Sequence, residues 1–505
     1  MKKITLIIAA ISAIGLSGCK KSLDQTVNPN APSQTTIPLS LSGAEKVMAD
    51  IPNGWLPNAN SGGGYTQYGY WDGAYSVSSG FIVQPDLSQY VLTTGNFNVW
   101  TDLYINLSNI NNLQILATAQ GSPNYEAIAM IMKSYDFEQV VDNYNDAPYS
   151  EAFSTTNLFP TYDKGSVIYA NCISQIDAAI ALINKSTTAT VPGSDDIIFG
   201  GNMTSWKKFA NSLKLRLILR QSGTSNYSTI AADMASTVSE GFLDGTTQAL
   251  AQPGYLLNDA YGGQESPFWH AYGSNQNGVP ENILVKANTY SIQLMHGLND
   301  PRLPYIYSTV VNPNGGPTTI RGLYLGDPAL SNDTNVAGSL SNVGPGLLQS
   351  AAQSAVVFSG AESLFLQAEA VNSGLLTGDA QKLYNAAITA SFEALGLTDA
   401  QASAYYGQNI VNVGWGASAA NLEQAIITQK YIALAGPGTF EQYNEWRRTG
   451  YPVGVPVTLD PAAAGPIPRR ILYPAVEYDT NGKNVNAEGT ISPFTSRIFW
   501  DTRTN

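Results

Sequence analysis

Apolar residues return at helical intervals through much of the chain. Leu103, Leu107, Ile110, Leu113 and Leu116 recur every three to four positions, the spacing that lines one face of a helix. Ile128, Ile131 and Met132 continue the pattern over 124–141, and Ile173, Ile176, Ile180 and Ile183 form a stripe within 163–183. The clearest case is 206–220, where Trp206, Phe209, Ala210, Leu213 and Leu217 share a face and Lys207, Lys208 and Lys214 fall elsewhere. A further helix is predicted over 225–241, and others over 360–372, 379–395, 422–434 and 440–448. Between these blocks the texture changes. Residues 52–96 and 243–358 are crowded with Gly, Asn, Pro and Tyr, and 450–505 are irregular and Pro-rich. Small residues such as Ala368, Ala370, Gly374, Ala380 and Ala387 sit where helices would meet, a spacing loosely like that of tetratricopeptide units. The expected fold is mainly α: a tetratricopeptide-like helical repeat scaffold at about 97–241 and 360–448, within one domain over 39–505. Long loop-rich insertions at about 52–96 and 243–358, with a few short strands, would carry the ligand-facing surface.

The first residues follow another logic. Met1-Lys2-Lys3 is a basic start, Ile4 to Leu16 an apolar run too short to anchor, and Leu16-Ser17-Gly18-Cys19 a run of small residues ending in cysteine. Residues 1–18 read as an export signal. The ending resembles the lipobox of bacterial lipoproteins, which implies cleavage before Cys19 and acyl chains, palmitate among them, on its sulfur and amine. Residues 19–38 would then be a lipidated polar tether. No second apolar run of spanning length is expected.

Composition narrows the function. Charged residues make up only 12%, the formal net charge is −13, and 28 Tyr, 46 Gly and 8 Trp stand in for charge. That balance disfavours nucleic acid, which needs clustered Lys and Arg. Flat aromatic faces with amides and hydroxyls suit neutral, hydroxyl-rich ligands. Cys172 has only Cys19 as a potential partner, so it is expected as a small buried core residue without a disulfide. There is no His-Glu-x-x-His, no Gly-x-Ser-x-Gly and no phosphate loop, and the two histidines, His270 and His296, are read as structural. No cofactor or metal is predicted. Asp and Asn are plentiful, but calcium is not predicted either. A glycosidase needs only two carboxylates about 5–10 Å apart, which a sequence cannot display.

Longer motifs point to a family. Asp142-Asn143-Tyr144-Asn145-Asp146-Ala147-Pro148-Tyr149-Ser150-Glu151-Ala152 resembles the Tyr-Gly-Asp-x-Pro-Tyr-Ser-Glu-Ala segment of SusD/RagB outer-membrane lipoproteins, with Asn145 where Gly is usual. Phe159-Pro160-Thr161-Tyr162-Asp163, the run from Asp196 to Asn202, Trp206 to Arg216, Asn299 to Arg302, Ala368-Glu369-Ala370, Arg447 to Pro452 and Pro468 to Pro474 agree in order along nearly the whole chain. Most of these residues are expected to be architecture, with Trp206 and Phe209 as core anchors, Arg447 and Arg448 holding carboxylates or carbonyls, and Arg302 pinned at a turn. The resemblance implies a nutrient-capture protein facing the cell exterior on the outer membrane. It would cap a SusC-like TonB-dependent transporter and do no chemistry of its own. An oligosaccharide is the expected ligand. A peptide, as in the RagB branch, is the alternative, and a surface glycosidase or a purely structural lipoprotein are the competing classes.

Two aromatic, amide-bearing segments are the candidates for ligand contact. From 65–75 come Trp71 and Tyr75 for stacking and Gln67 and Asp72 for hydroxyls; from 261–272 come Trp269 and Tyr272 for stacking and Gln264 for hydroxyls.

Overall fold

Helix starts are set by side chains that satisfy the first free backbone N–H groups. Thr36 accepts from Leu39 N, Asn202 from Thr204 N and Ser205 N, Ser359 from Glu362 N, Asp379 from Lys382 N, and Thr398 and Gln401 form a capping box. The computed structural model describes residues 36–504 except 58–60, 63, 79–84, 259–262, 314 and 329–336. Cys19 and the leader lie outside the described residues, as do Tyr261 and Gly262.

The longer helices are α1 (Ile37–Asp50), α2 (Trp100–Ala119), α3 (Pro123–Tyr144), α4 (Gly165–Lys185), α5 (Met203–Arg220), α6 (Thr289–Gly297), α7 (Gly360–Asn372), α8 (Ala380–Ala394), α9 (Asp399–Tyr406), α10 (Leu422–Ala433) and α11 (Thr439–Thr449). Each packs on the next through α5, with α1 on α2, α2 on α3, α3 on α4 and α4 on α5. The stack resumes with α5 on α7, α7 on α8 and α10, and α8 on α9. This is the stacking of a helical repeat, in which each unit buries its apolar face on its neighbours. Among the described residues six short strands decorate it: β1 (Trp55–Leu56), β2 (Ser61–Gly62), β3 (Tyr75–Val77), β4 (Ala249–Ala251), β5 (Val285–Ala287) and β6 (Ala355–Phe358). They pair antiparallel as β1 with β2, β3 with β5 (Tyr75 opposite Ala287) and β4 with β6 (Ala249 opposite Phe358). The fold is mainly α and tetratricopeptide-like.

The predicted anchors are buried. Trp206 and Phe209 are fully covered, each gaining about 1.5–3 kcal/mol from burial, and Trp206 Nε1 donates to Asp196 Oδ2 at 2.8 Å. Asp196 also accepts from the backbone N–H of Ile198, Phe199 and Gly201, which explains why its turn directly precedes that tryptophan. Arg302 grips Asp300 through Nε and Nη2 at 2.9 and 2.6 Å and donates to Ser391 and Gln429. Cys172 is buried and free, its thiol pushed far up by burial.

Two of the sequence motifs are halves of one loop. Asp163 accepts from Tyr149 N, Ser150 N and Ser150 Oγ, while Glu151 accepts from Thr161 N and Thr161 Oγ1. Asn145 has φ +69°, and its Oδ1 accepts from Phe499 N. Asp146 takes Gly165 N at the start of α4 and Lys164 Nζ at 2.7 Å.

Beneath α3, α5, α7 and α11 runs a buried ion network. Arg216 pairs with Glu138 and, at 3.0 Å, with Glu362; Arg220 bridges Asp142 and Glu441. Lys430 holds Glu445 at 2.8 Å, and Arg448 spans Glu369 and Glu445. Arg447 donates to the carbonyls of Asp142 and Arg469. Buried charges persist only when paired in this way, since removing one partner strands the other.

The structure corrects three sequence expectations. Residues 225–241 are not one helix but a short helix, Tyr227–Ala232, followed by two 3-10 turns: Tyr227, Ile230, Ala231 and Met234 meet the core, but the stripe stops there, and Val238, its next position, is exposed. α4 is long and apolar enough to cross a bilayer by length and composition, contrary to the expectation of no second such run. Here it packs its isoleucine face between α3 and α5. Finally, 65–77 is no surface excursion: Thr66–Trp71 is a helix packed on α11, and every residue from 67 to 78 is buried. Gly69 makes room for it, because a Cβ there would lie 2.4 Å from the Tyr75 ring.

Candidate functional site

The structure brings the two candidate segments together, but by burying their contact. Tyr272 shares a short hydrogen bond with the Thr66 hydroxyl, and its ring lies 6.3 Å from that of Tyr75 and 4.8 Å from that of Phe268. Trp71 is fully buried, edge-on to Tyr68 and Phe97. Gln67, Asp72 and Tyr75 are buried as well. Burial pushes the Asp72 carboxyl and the Tyr75 hydroxyl well up, the backbone N–H of Ala74 pulling Asp72 partly back. Gln67 Nε2, Trp71 Nε1, Asp72 Oδ2 and Tyr75 Oη are enclosed without a partner among the described residues. In this conformation these four residues and Tyr272 offer no open ring or amide. The tyrosine-rich pattern marks a seam under α11, where Tyr65 and Tyr68 stack on Phe440 and Tyr443.

Trp269 and Gln264 lie differently. Trp269 lies mid-way along the short helix Pro267–Tyr272 and is half-buried, its Nε1 donating to Ser274 O at 2.9 Å. Gly273 permits this, since a Cβ there would meet the Trp269 ring at 2.7 Å. The neighbouring His270 holds Glu265 at 3.3 Å and receives Trp55 edge-on, ring centres 4.3 Å apart. Three amides are tied together beside them. Asn258 Nδ2 donates to Gln264 Oε1 at 2.8 Å, and Gln276 Nε2 to Asn258 Oδ1 at 3.1 Å. Gln264 and Gln276 are exposed, as are Leu256, Leu257 and Val279 nearby. The result is a surface of half-open rings at Trp55, Trp269 and His270 next to amides already fixed in direction. Flat faces of this kind cover the C–H faces of a sugar ring, and aligned amides meet its hydroxyls.

Trp55, Asn258 and Gln276 were not among the sequence candidates. A lone tryptophan between Gly54 and Leu56 carried no pattern, and Asn258 and Gln276 join Gln264 only through folding. Among the described residues no cluster of three or more His, Cys, Asp or Glu could hold a metal ion.

A family described as starch-binding and associating with the outer membrane matches residues 29–474. The chain belongs to the SusD-like family. Solved SusD-like structures share its fold. A chitin-binding SusD homologue from Flavobacterium johnsoniae is 22% identical with a TM-score of 0.74, covering 92% of this chain and 99% of its own. A SusD homologue from Bacteroides uniformis is 23% identical at 0.72, with the same two coverages. One from Bacteroides thetaiotaomicron is 20% identical at 0.72, covering 94% and 100%. Comparison with curated proteins returns no match. The family is described by starch binding in association with the outer membrane, and the Flavobacterium johnsoniae homologue by chitin binding.

Proposed function

We propose that this SusD-like protein captures a neutral oligosaccharide at the cell surface and delivers it to a SusC-like TonB-dependent transporter, without turning it over. Lipid on Cys19 would hold it to the outer membrane with its loop face outward. The observation that carries the reading is the juxtaposition of half-open Trp55, Trp269 and His270 with the linked amides of Asn258, Gln264 and Gln276. The chitin-binding activity of a homologue with the same fold supports a glycan over a peptide. Of the sequence candidates, Trp269 and Gln264 remain in this site; Trp71, Tyr75, Tyr272, Gln67 and Asp72 would contribute only if the 65–75 seam opened.

Calorimetric titration of the soluble chain begun after Cys19, against neutral oligosaccharides with β-linked N-acetylglucosamine oligomers first, tests the proposal. Saturable binding without product is expected. Trp269→Ala should weaken it by about 1–3 kcal/mol, the range for a stacking aromatic at a binding hot spot, and leave the melting temperature in place. Binding that Trp269→Ala and Trp55→Ala both leave unchanged would refute the site. Product release abolished by one carboxylate substitution would refute the role.

A further inference from the structure

Behind the loop face lies a cavity of about 280 Å³, near the lower end of the range for small-molecule sites. Pro52, Gln353, Ala394 and Pro437 edge its mouth, each at least partly exposed. Leu250, Val357, Leu395, Ile432 and Phe440 make its walls apolar. Its floor reaches Gln139, Arg216, Glu362 and Glu441, one edge of the buried ion network.

Two groups on that floor are unspent. Gln139 is 3% exposed, and its side-chain amide exchanges no hydrogen bond with any described residue. Glu362, also 3% exposed, gives one oxygen to Arg216 at 3.0 Å, and no described residue donates to the other. Glu362 and Glu441 both line this floor, with Arg216 between them. Burial, with Glu441 nearby, pushes Glu138 up to about 8 and raises Glu362, and the facing Arg216 offsets this only in part.

We propose that this cavity binds a primary amine bearing a compact apolar body. The ammonium would sit between the free Glu362 oxygen and Gln139, with the body against Leu395, Ile432 and Phe440. An ammonium brings three donors and a positive charge to the Glu362 carboxyl. A neutral alcohol of the same shape brings one donor and no charge, and a carboxylate would face Glu362 and Glu441. The site is separate from the glycan surface and does not rest on that reading.

The test is titration of the full mature chain with 2-phenylethylamine, 2-phenylethanol and phenylacetate. Saturable binding of the amine is expected, with the alcohol weaker by about tenfold and phenylacetate silent, since a hydrogen bond to a charged group is worth about 1.5–3 kcal/mol. Ala394→Trp at the open mouth should abolish amine binding and leave oligosaccharide binding unchanged. Glu362→Gln should weaken the amine about tenfold or more. If that variant does not fold, Gln139→Leu serves in its place, with a clear loss of amine affinity expected. Equal binding of the three probes, no saturable amine binding, or amine binding that survives Ala394→Trp overturns the proposal.

Discussion

Asp136 gives the sharpest quantitative test of the interior. It is 1% exposed on α3, and its one described partner is Asn106, whose Nδ2 donates to Asp136 Oδ2 at 2.8 Å. Burial pushes the carboxyl up to about 7, and the Asn106 bond pulls it back only in part. The folded state therefore keeps a proton that the unfolded chain loses near pH 4. Between about pH 4 and 7 the folded protein binds more protons than the unfolded one, so this group lowers stability as pH rises, and above pH 7 the penalty is complete. At about 1.4 kcal/mol for each tenfold in affinity, the penalty approaches about 4 kcal/mol. Asp136→Asn keeps an acceptor for Asn106 and removes the ionisation. Its stability, from urea denaturation, should match the parent near pH 4 and exceed it by about 2–4 kcal/mol at pH 8. Subtracting parent from variant cancels every other titrating group. A stability difference that is the same at pH 4 and pH 8 would refute the reasoning, and a variant weaker at pH 8 would show that Asp136 is held ionised.

Arg302→Met should cost about 3–5 kcal/mol in chemical denaturation by stranding buried Asp300, and Asp300→Asn in the same chain should recover much of it; equal losses in the single and double variants would contradict the pairing. Trp71→Ala should cost about 3–5 kcal/mol of stability while the protein that remains folded keeps its oligosaccharide affinity. Lost affinity at unchanged stability would return Trp71 to the binding surface.

The scaffold was legible because its signals are local. Trp206, Phe209 and Leu213 repeat on one helical face, and Asp300 and Arg302 meet within three residues. Arg447 and Arg448 were expected to hold carboxylates or carbonyls, and they hold both. The 65–75 segment was misread because Gly, Tyr and Trp in alternation describe an exposed binding loop and a buried aromatic seam equally well. What decides between them is Phe440 and Tyr443 on α11, far along the chain. The amide cluster was missed for the same reason, since Asn258 and Gln276 become neighbours only when the loop closes. The predicted helix at 225–241 stops early because its apolar stripe, Tyr227, Ile230, Ala231 and Met234, ends there, and exposed Val238 does not hold the later turns to the core.

The ion network also governs the order in which the molecule can be completed. Glu138, Asp142, Arg216 and Arg220 are made early in the chain, yet Glu441 arrives more than two hundred residues after Arg220, at |i−j| of 221. Trp500 then caps Asp142 across |i−j| of 358. Until those partners dock, the Glu138–Arg216 and Asp142–Arg220 pairs of the first helices lack their later partners Glu441 and Trp500 and must stay wet. The amino-terminal half is therefore a waiting platform, and the carboxyl-terminal helices and tail act as a keystone that dries the interior in one late step. A proteolytic nick or truncation near the end of this chain should loosen helices hundreds of residues away before it disturbs those beside the cut.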